Sequence, residues 1–182
     1  MMKKLTLIAT LILCLTMMFT LASCSGKSKA PNSPESVVEK FFEAYSNFDA
    51  DGMLDCINEG VLQKMANEMF DGDLDEFKET YKRLLDSFYK EKLEDVKLSI
   101  NVLESKDLEG EDFNEIKEYF AENYDVEISA AASVKFEMTA KGEVEGVVID
   151  NTEEETYTVV KVDGKWYIDY EDTLPTPSQT DE

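Results

Sequence analysis

Four residues offer the carboxylate and phenol that proton transfer needs: Tyr45, Tyr124, Asp125 and Asp169. Each borders an apolar segment, and a carboxyl desolvated there would hold its proton more tightly and could act as a base near neutrality. The chain carries 40 acidic residues, so such adjacency is also what chance supplies. Histidine is absent. That removes histidine-based triads, histidine metal sites and histidine general bases. A carboxylate and tyrosine enzyme is therefore the alternative reading, and no catalytic residue is assigned.

Metal and thiol chemistry are weighed in the same way. Asn47, Asp49 and Asp51 precede Gly52 at the spacing that opens a calcium loop. The twelfth position is Asn58, and Glu59 arrives one residue late. Asp49 as the cap of a short helix is the better reading. Asp71, Asp73 and Asp75 lack both the glycine and the closing acid. No metal and no cofactor is expected. Cys56 lies beside Met53 and Ile57 with no neighbouring cation in the sequence, which describes a buried and unreactive thiol. Met53, Met65, Met69 and Met138 are expected to fill the core.

Cys24 has a different context. Met1-Met2-Lys3-Lys4 precedes an apolar run from Leu5 to Leu21, which ends in Leu21-Ala22-Ser23-Cys24. A basic start, a hydrophobic stretch and small residues before a cleavage point make a secretory signal. With the cysteine, the segment resembles a bacterial lipoprotein signal. The resemblance implies that Cys24 receives a diacylglyceryl group and becomes the first residue after cleavage. The apolar run is 17 residues and contains four threonines, short of the roughly 20 apolar residues a spanning helix needs. The implied address is extracytoplasmic, on the cell membrane of a bacterium, expected to be Gram-positive, and held there through lipid on Cys24.

Composition sets the remaining limits. Loss of residues 1–23 would remove Lys3 and Lys4 and no acid, moving the formal net charge from −22 to −24. Nucleic acid is excluded as a partner, because phosphate binding demands basic patches. Cys14 would leave with the signal and Cys24 would carry lipid, so Cys56 has no partner for an intramolecular disulfide. Stability has to come from the core.

The elements that would position a site follow from periodicity. Residues 24–33 are small and polar with Pro31, and form a tether. Ser33-Pro34-Glu35 starts a helix, and Val37, Val38, Phe41, Phe42, Tyr45 and Phe48 follow at helical spacing. A short helix capped by Asp49, a helix over Val61 to Phe70 and one capped by Asp73 come next. The last presents Leu74, Phe77, Tyr81, Leu84, Leu85 and Phe88 on one side. Val96 to Val102 alternates as a strand, and Phe113, Ile116 and Phe120 mark a short helix. Ala132 to Ala140 alternates again, Asp150-Asn151 carries turn chemistry, and Asp163-Gly164 joins a hairpin running from Thr156 to Tyr170. Residues 171–182 form a disordered acidic tail. The expected class is α+β.

Ser33 to Tyr45, with the Asn-Phe-Asp-Ala-Asp link after it, and the closing Asp163-Gly164-Lys165-Trp166-Tyr167-Ile168 hairpin resemble the NTF2-like, cystatin-like α+β superfamily. The likeness is to small bacterial lipoprotein domains of unknown function and covers residues 34–170. It implies N-terminal helices packed in the concave face of a curved antiparallel sheet, enclosing a cone. Its implied lining is Phe41, Tyr45, Phe136, Met138, Trp166 and Ile168. The resemblance implies a non-enzymatic binding module for a small molecule, a peptide or an envelope protein. The other alternative is an assembly domain that forms a homodimer through its sheet.

Overall fold

The computed structural model describes residues 32–90, 95–144 and 146–169. Cys24 with its signal, nearly all of the tether and the acidic tail lie outside the described residues. The architecture is α+β: a helical layer, then one four-stranded antiparallel sheet in the order β1-β2-β3-β4.

Local chemistry sets the helix starts. Helix α1 spans Pro34–Ser46, with Ser33 as cap. The Ser36 amide donates to Ser33 Oγ and the Ser33 amide to Ser36 Oγ, so two otherwise unpaired donors are satisfied reciprocally. Glu35 in the first turn is held below the usual carboxylate range by hydrogen bonds from Ser33 and then Ser105. The second bond ties the start of α1 to the sheet. Phe48 adopts φ 55 to turn the chain into α2, Ala50–Leu54, where the Gly52 amide donates to Asp49 Oδ1. Helix α3 is Glu59–Met69 with Asn58 as cap, and α4 is Leu74–Leu84 with Asp73 as cap. The chain leaves α4 through a π-helical turn, Leu85–Lys90. The wider turn breaks the expected stripe: Leu85 is buried and Leu84 is 40% exposed.

Strand β1 is Lys97–Asp107 and pairs with β2, Ala130–Val144. A bulge at Leu103 shifts their register, so that Ser105 falls opposite Val134 near the start of α1. Between β1 and β2, helix α5 runs Gly110–Tyr124, longer than its three apolar residues predict. Strands β3, Val147–Val162, and β4, Lys165–Ile168, complete the meander. Asp150 and Asn151 lie inside β3, opposite Lys141 and Ala140. The reversal occurs instead next to Gly146, whose φ of 82 supplies the conformation a tight turn requires. Gly142 has a separate role: a Cβ there would collide with the Asp95 carbonyl and the Val96 Cα, where the chain enters β1.

Helix α1 lies across one face of the sheet and touches all four strands. Phe42 stacks on Tyr157 at 5.8 Å and meets Phe136 at 5.0 Å, and Phe136 meets Tyr157 at 4.8 Å. Val37, Val38, Val134, Val159 and Ile168 complete this core. A second core joins Leu54, α3, Phe77 and Phe120 to Ala131 and Val160, which alternate out of phase with the first set. The two cores meet along β4, where the Ile168 amide donates to the Cys56 carbonyl at 2.8 Å. Phe136 is fully buried. Phe136→Ala should therefore lower unfolding stability by about 3–5 kcal/mol, read from urea denaturation. A loss below about 1 kcal/mol would mean that the ring cluster does not hold α1 on the sheet.

Candidate functional site

The six residues expected to line a cone are part of the packed interior. Phe41, Phe136, Trp166 and Ile168 are buried in the first core, and Tyr45 and Met138 pack half-buried against it. The face of the sheet that receives α1 is thus filled by side chains. Trp166 alone among the six also borders an opening.

That opening is a cavity of about 320 Å³ between the helical layer and β4. Leu54, Ile57 and Leu62 lie nearly buried beneath it, Trp166 and Tyr167 close the strand side, and most of its exposed lining is polar. Strand β4 is held there by the bond from Ile168 to Cys56, so its short length and the helical link define one wall together. Lys161 stands 5.6 Å from the Trp166 ring centre, within cation–π range. Burial raises the Tyr167 pKa, reinforced by Asp163, Glu59 and Asp55, so the phenol stays protonated and can donate.

Charged groups stand at the rim. Lys40 Nζ lies 3.6 Å from Asp55, and Lys82 Nζ lies 3.0 Å from Asp51. The Asp51 hydrogen bond is the main cause that raises the Lys82 pKa. Lys78, Lys165 and Glu59 also line the opening. No sequence motif marks these residues, which come from separate segments and meet only in the fold. The available signal was scarcity. With 18 cations against 40 acids, a lysine next to the single tryptophan is unusual company.

The residues considered for proton transfer lie on both cores and at element ends. Tyr45 packs on the first core and Tyr124 on the second. The Tyr119 and Tyr124 hydroxyls are 3.1 Å apart. Asp125 is exposed and ends α5 in the left-handed conformation, with φ 55. Asp169 follows β4, and its amide donates to the Thr158 carbonyl. Among the described residues no charged or polar residue is buried as a whole, but Asp169 Oδ1 is a buried atom. The calcium-like stretch is occupied by local structure: Asn47 donates to the Glu43 carbonyl, Asp49 caps α2 and Asp51 pairs with Lys82. Asp73 likewise caps α4. Met53 and Met65 are buried and Met138 is half-buried, whereas Met69 is 47% exposed at the end of α3 and does not fill the core.

Among the described residues no helix is long and apolar enough to cross a membrane. No protein-family model matches the chain, and no curated protein matches it.

Cys56 lies in the wall that carries β4. It is fully buried, and its thiol donates to the Gly52 carbonyl at 3.3 Å. Burial pushes its pKa from 9.0 up to about 12. The folded state keeps a proton that the unfolded thiol gives up, so this contribution is intact below pH 9.0 and declines as pH rises toward 12. Stability measured by denaturation should fall across that window, and Cys56→Ala should flatten the fall. Wild-type Cys56 should also resist a thiol reagent at pH 8 until the protein unfolds. Prompt labelling of folded protein would contradict this description.

Proposed function

We propose that the protein is a lipid-anchored, extracytoplasmic binding module of the NTF2-like type, without catalytic activity of its own. The observation that carries the binding reading is the contrast between two surfaces. The sheet face under α1 is packed with side chains, while the margin between helices and β4 keeps an open, largely polar cavity with Trp166 and Tyr167 on one side. The helices-then-sheet order and the seat of α1 on the sheet favour an NTF2-like origin.

The anchor reading rests on Leu21-Ala22-Ser23-Cys24 after a basic and apolar leader. Two acyl chains hold a protein stably where one does not. The tether then keeps the acidic domain just outside the bilayer, with its cavity open to the envelope space.

Both halves of this reading can be tested on the protein expressed in its own membrane. Cys24→Ala should shift it from the detergent phase to the aqueous phase. Retention in the detergent phase would overturn the lipid anchor. The purified domain should rise in melting temperature by several degrees with a saturating small-molecule fraction of the cell envelope, because a ligand at about 100 times its Kd adds about 2.7 kcal/mol. If no fraction raises it, the binding reading falls.

A further inference from the structure

Strand β3 pairs with β2 along its whole length, from Val147 opposite Val144 to Lys161 opposite Ala130. On its other side β4 covers only Val159–Val162. The Lys161 carbonyl accepts from Ser129 on the β2 side, and the Thr158 carbonyl accepts from Asp169 on the β4 side. Backbone groups alternate between the two sides of a strand. Thr156, Glu154, Thr152, Asp150 and Val148 therefore turn their amides and carbonyls away from β2, in the same sense as Thr158. Among the described residues no strand pairs with them. Every residue from Val147 to Thr156 except Ile149 is exposed, so this edge is open to approach.

The edge has a definite chemical pattern. Val147 to Thr156 carries four acids and no base. Two of the acids are matched by β2: Asp150 by Lys141 and Glu154 by Lys135. Among the described residues Glu153 and Glu155 are in no ion pair, although Glu153 accepts a hydrogen bond from Asn151. Side chains two apart share a face, so these two carboxylates project on the same side as Ile149 and Val147. Val147 is 65% and Val148 75% exposed at the far end. The open edge thus reads, on one face, as two apolar residues, an amide and two acids.

The closing segment of the chain fits this edge poorly. Continuing β4 in its own register would set Pro175 opposite Thr152 and Pro177 opposite Asp150, where the incoming amides would have to donate. Proline has no such donor. The same register sets Asp172 against Glu155. A second copy paired here would present the same four acids and no base. Charges on an edge strand oppose like partners and select opposite ones.

We infer that the edge of β3 from Val148 to Thr156 receives an extended segment of a partner protein by strand addition, one with basic residues at alternate positions followed by apolar ones. Backbone hydrogen bonds supply the affinity, and the alternate side chains supply the choice of partner. In antiparallel pairing the basic residues stand opposite Glu155 and Glu153, and the apolar ones opposite Ile149 and Val147. This surface is separate from the cavity beside β4.

The test uses the protein with its closing segment intact and a fluorescent peptide, Lys-Thr-Lys-Thr-Thr-Thr-Val-Val-Val, built to that pattern. Anisotropy should show saturable binding that weakens with added salt. Hydrogen exchange should show the amides of Val148, Asp150, Thr152, Glu154 and Thr156 exchanging freely without peptide and protected with it. The same peptide with glutamates for its lysines should bind at least tenfold more weakly. Glu153→Lys combined with Glu155→Lys should reverse that preference. Thr152→Pro removes one outward donor and spares the ladder to β2. It should weaken the lysine peptide at least tenfold while the melting temperature stays within a few degrees. Protection of these amides without peptide would overturn the proposal, because the tail or a second copy would then hold the edge. So would no binding, equal binding of the two peptides, or binding that leaves these amides unprotected. None of these outcomes bears on the cavity, whose own test is the rise in melting temperature with an envelope fraction.

Discussion

The contact among Phe42, Phe136 and Tyr157 is the constraint on which the rest depends. It fixes α1 against β2 and β3, with each ring within 6 Å of the other two. Aromatic pairs at these separations add to the burial of the rings themselves. Cys56 is unpaired and buried, so the packing has no covalent support among the described residues. The sheet face under α1 is occupied by these packed side chains. The place where packing is incomplete is the far margin, where β4 is only four residues long and borrows the Cys56 carbonyl to satisfy its own edge. The cavity follows from that short strand and from the helices folded around it.

Electrostatics divides the surface in the same way. Strand β3 continues well beyond β4, and Glu153, Glu154 and Glu155 stand exposed on this stretch. Charges on an edge strand oppose pairing with a second copy. The cavity brings three lysines, from α1, α4 and β4, together with three acids, Asp51, Asp55 and Glu59.

Much of the fold was legible because its signals are local. Ser33-Pro34, Asp49 and Asp73 each cap a helix where the residue types require it, and the Asp163-Gly164 turn joins β3 to β4. The β2 alternation also reads directly as one face. The turn between β2 and β3 was misplaced because the acidic run after Asn151 lacks alternation, so Asp150-Asn151 looked like an end and not a strand interior. The π-helical turn after α4 depends on how Leu85 reaches the core, which helical periodicity does not encode. Of the site, only Trp166 was indicated by the sequence. Lys40, Glu59, Lys78 and Lys165 are individually ordinary surface residues, and their meaning comes from tertiary placement around one opening.

Native mass spectrometry of the protein extracted gently from its own membrane tests the central claim most directly, namely that this domain acts by holding a small molecule at the margin between its helices and β4. The account predicts a bound small molecule, released when the domain is unfolded. A domain that carries and releases nothing would contradict it.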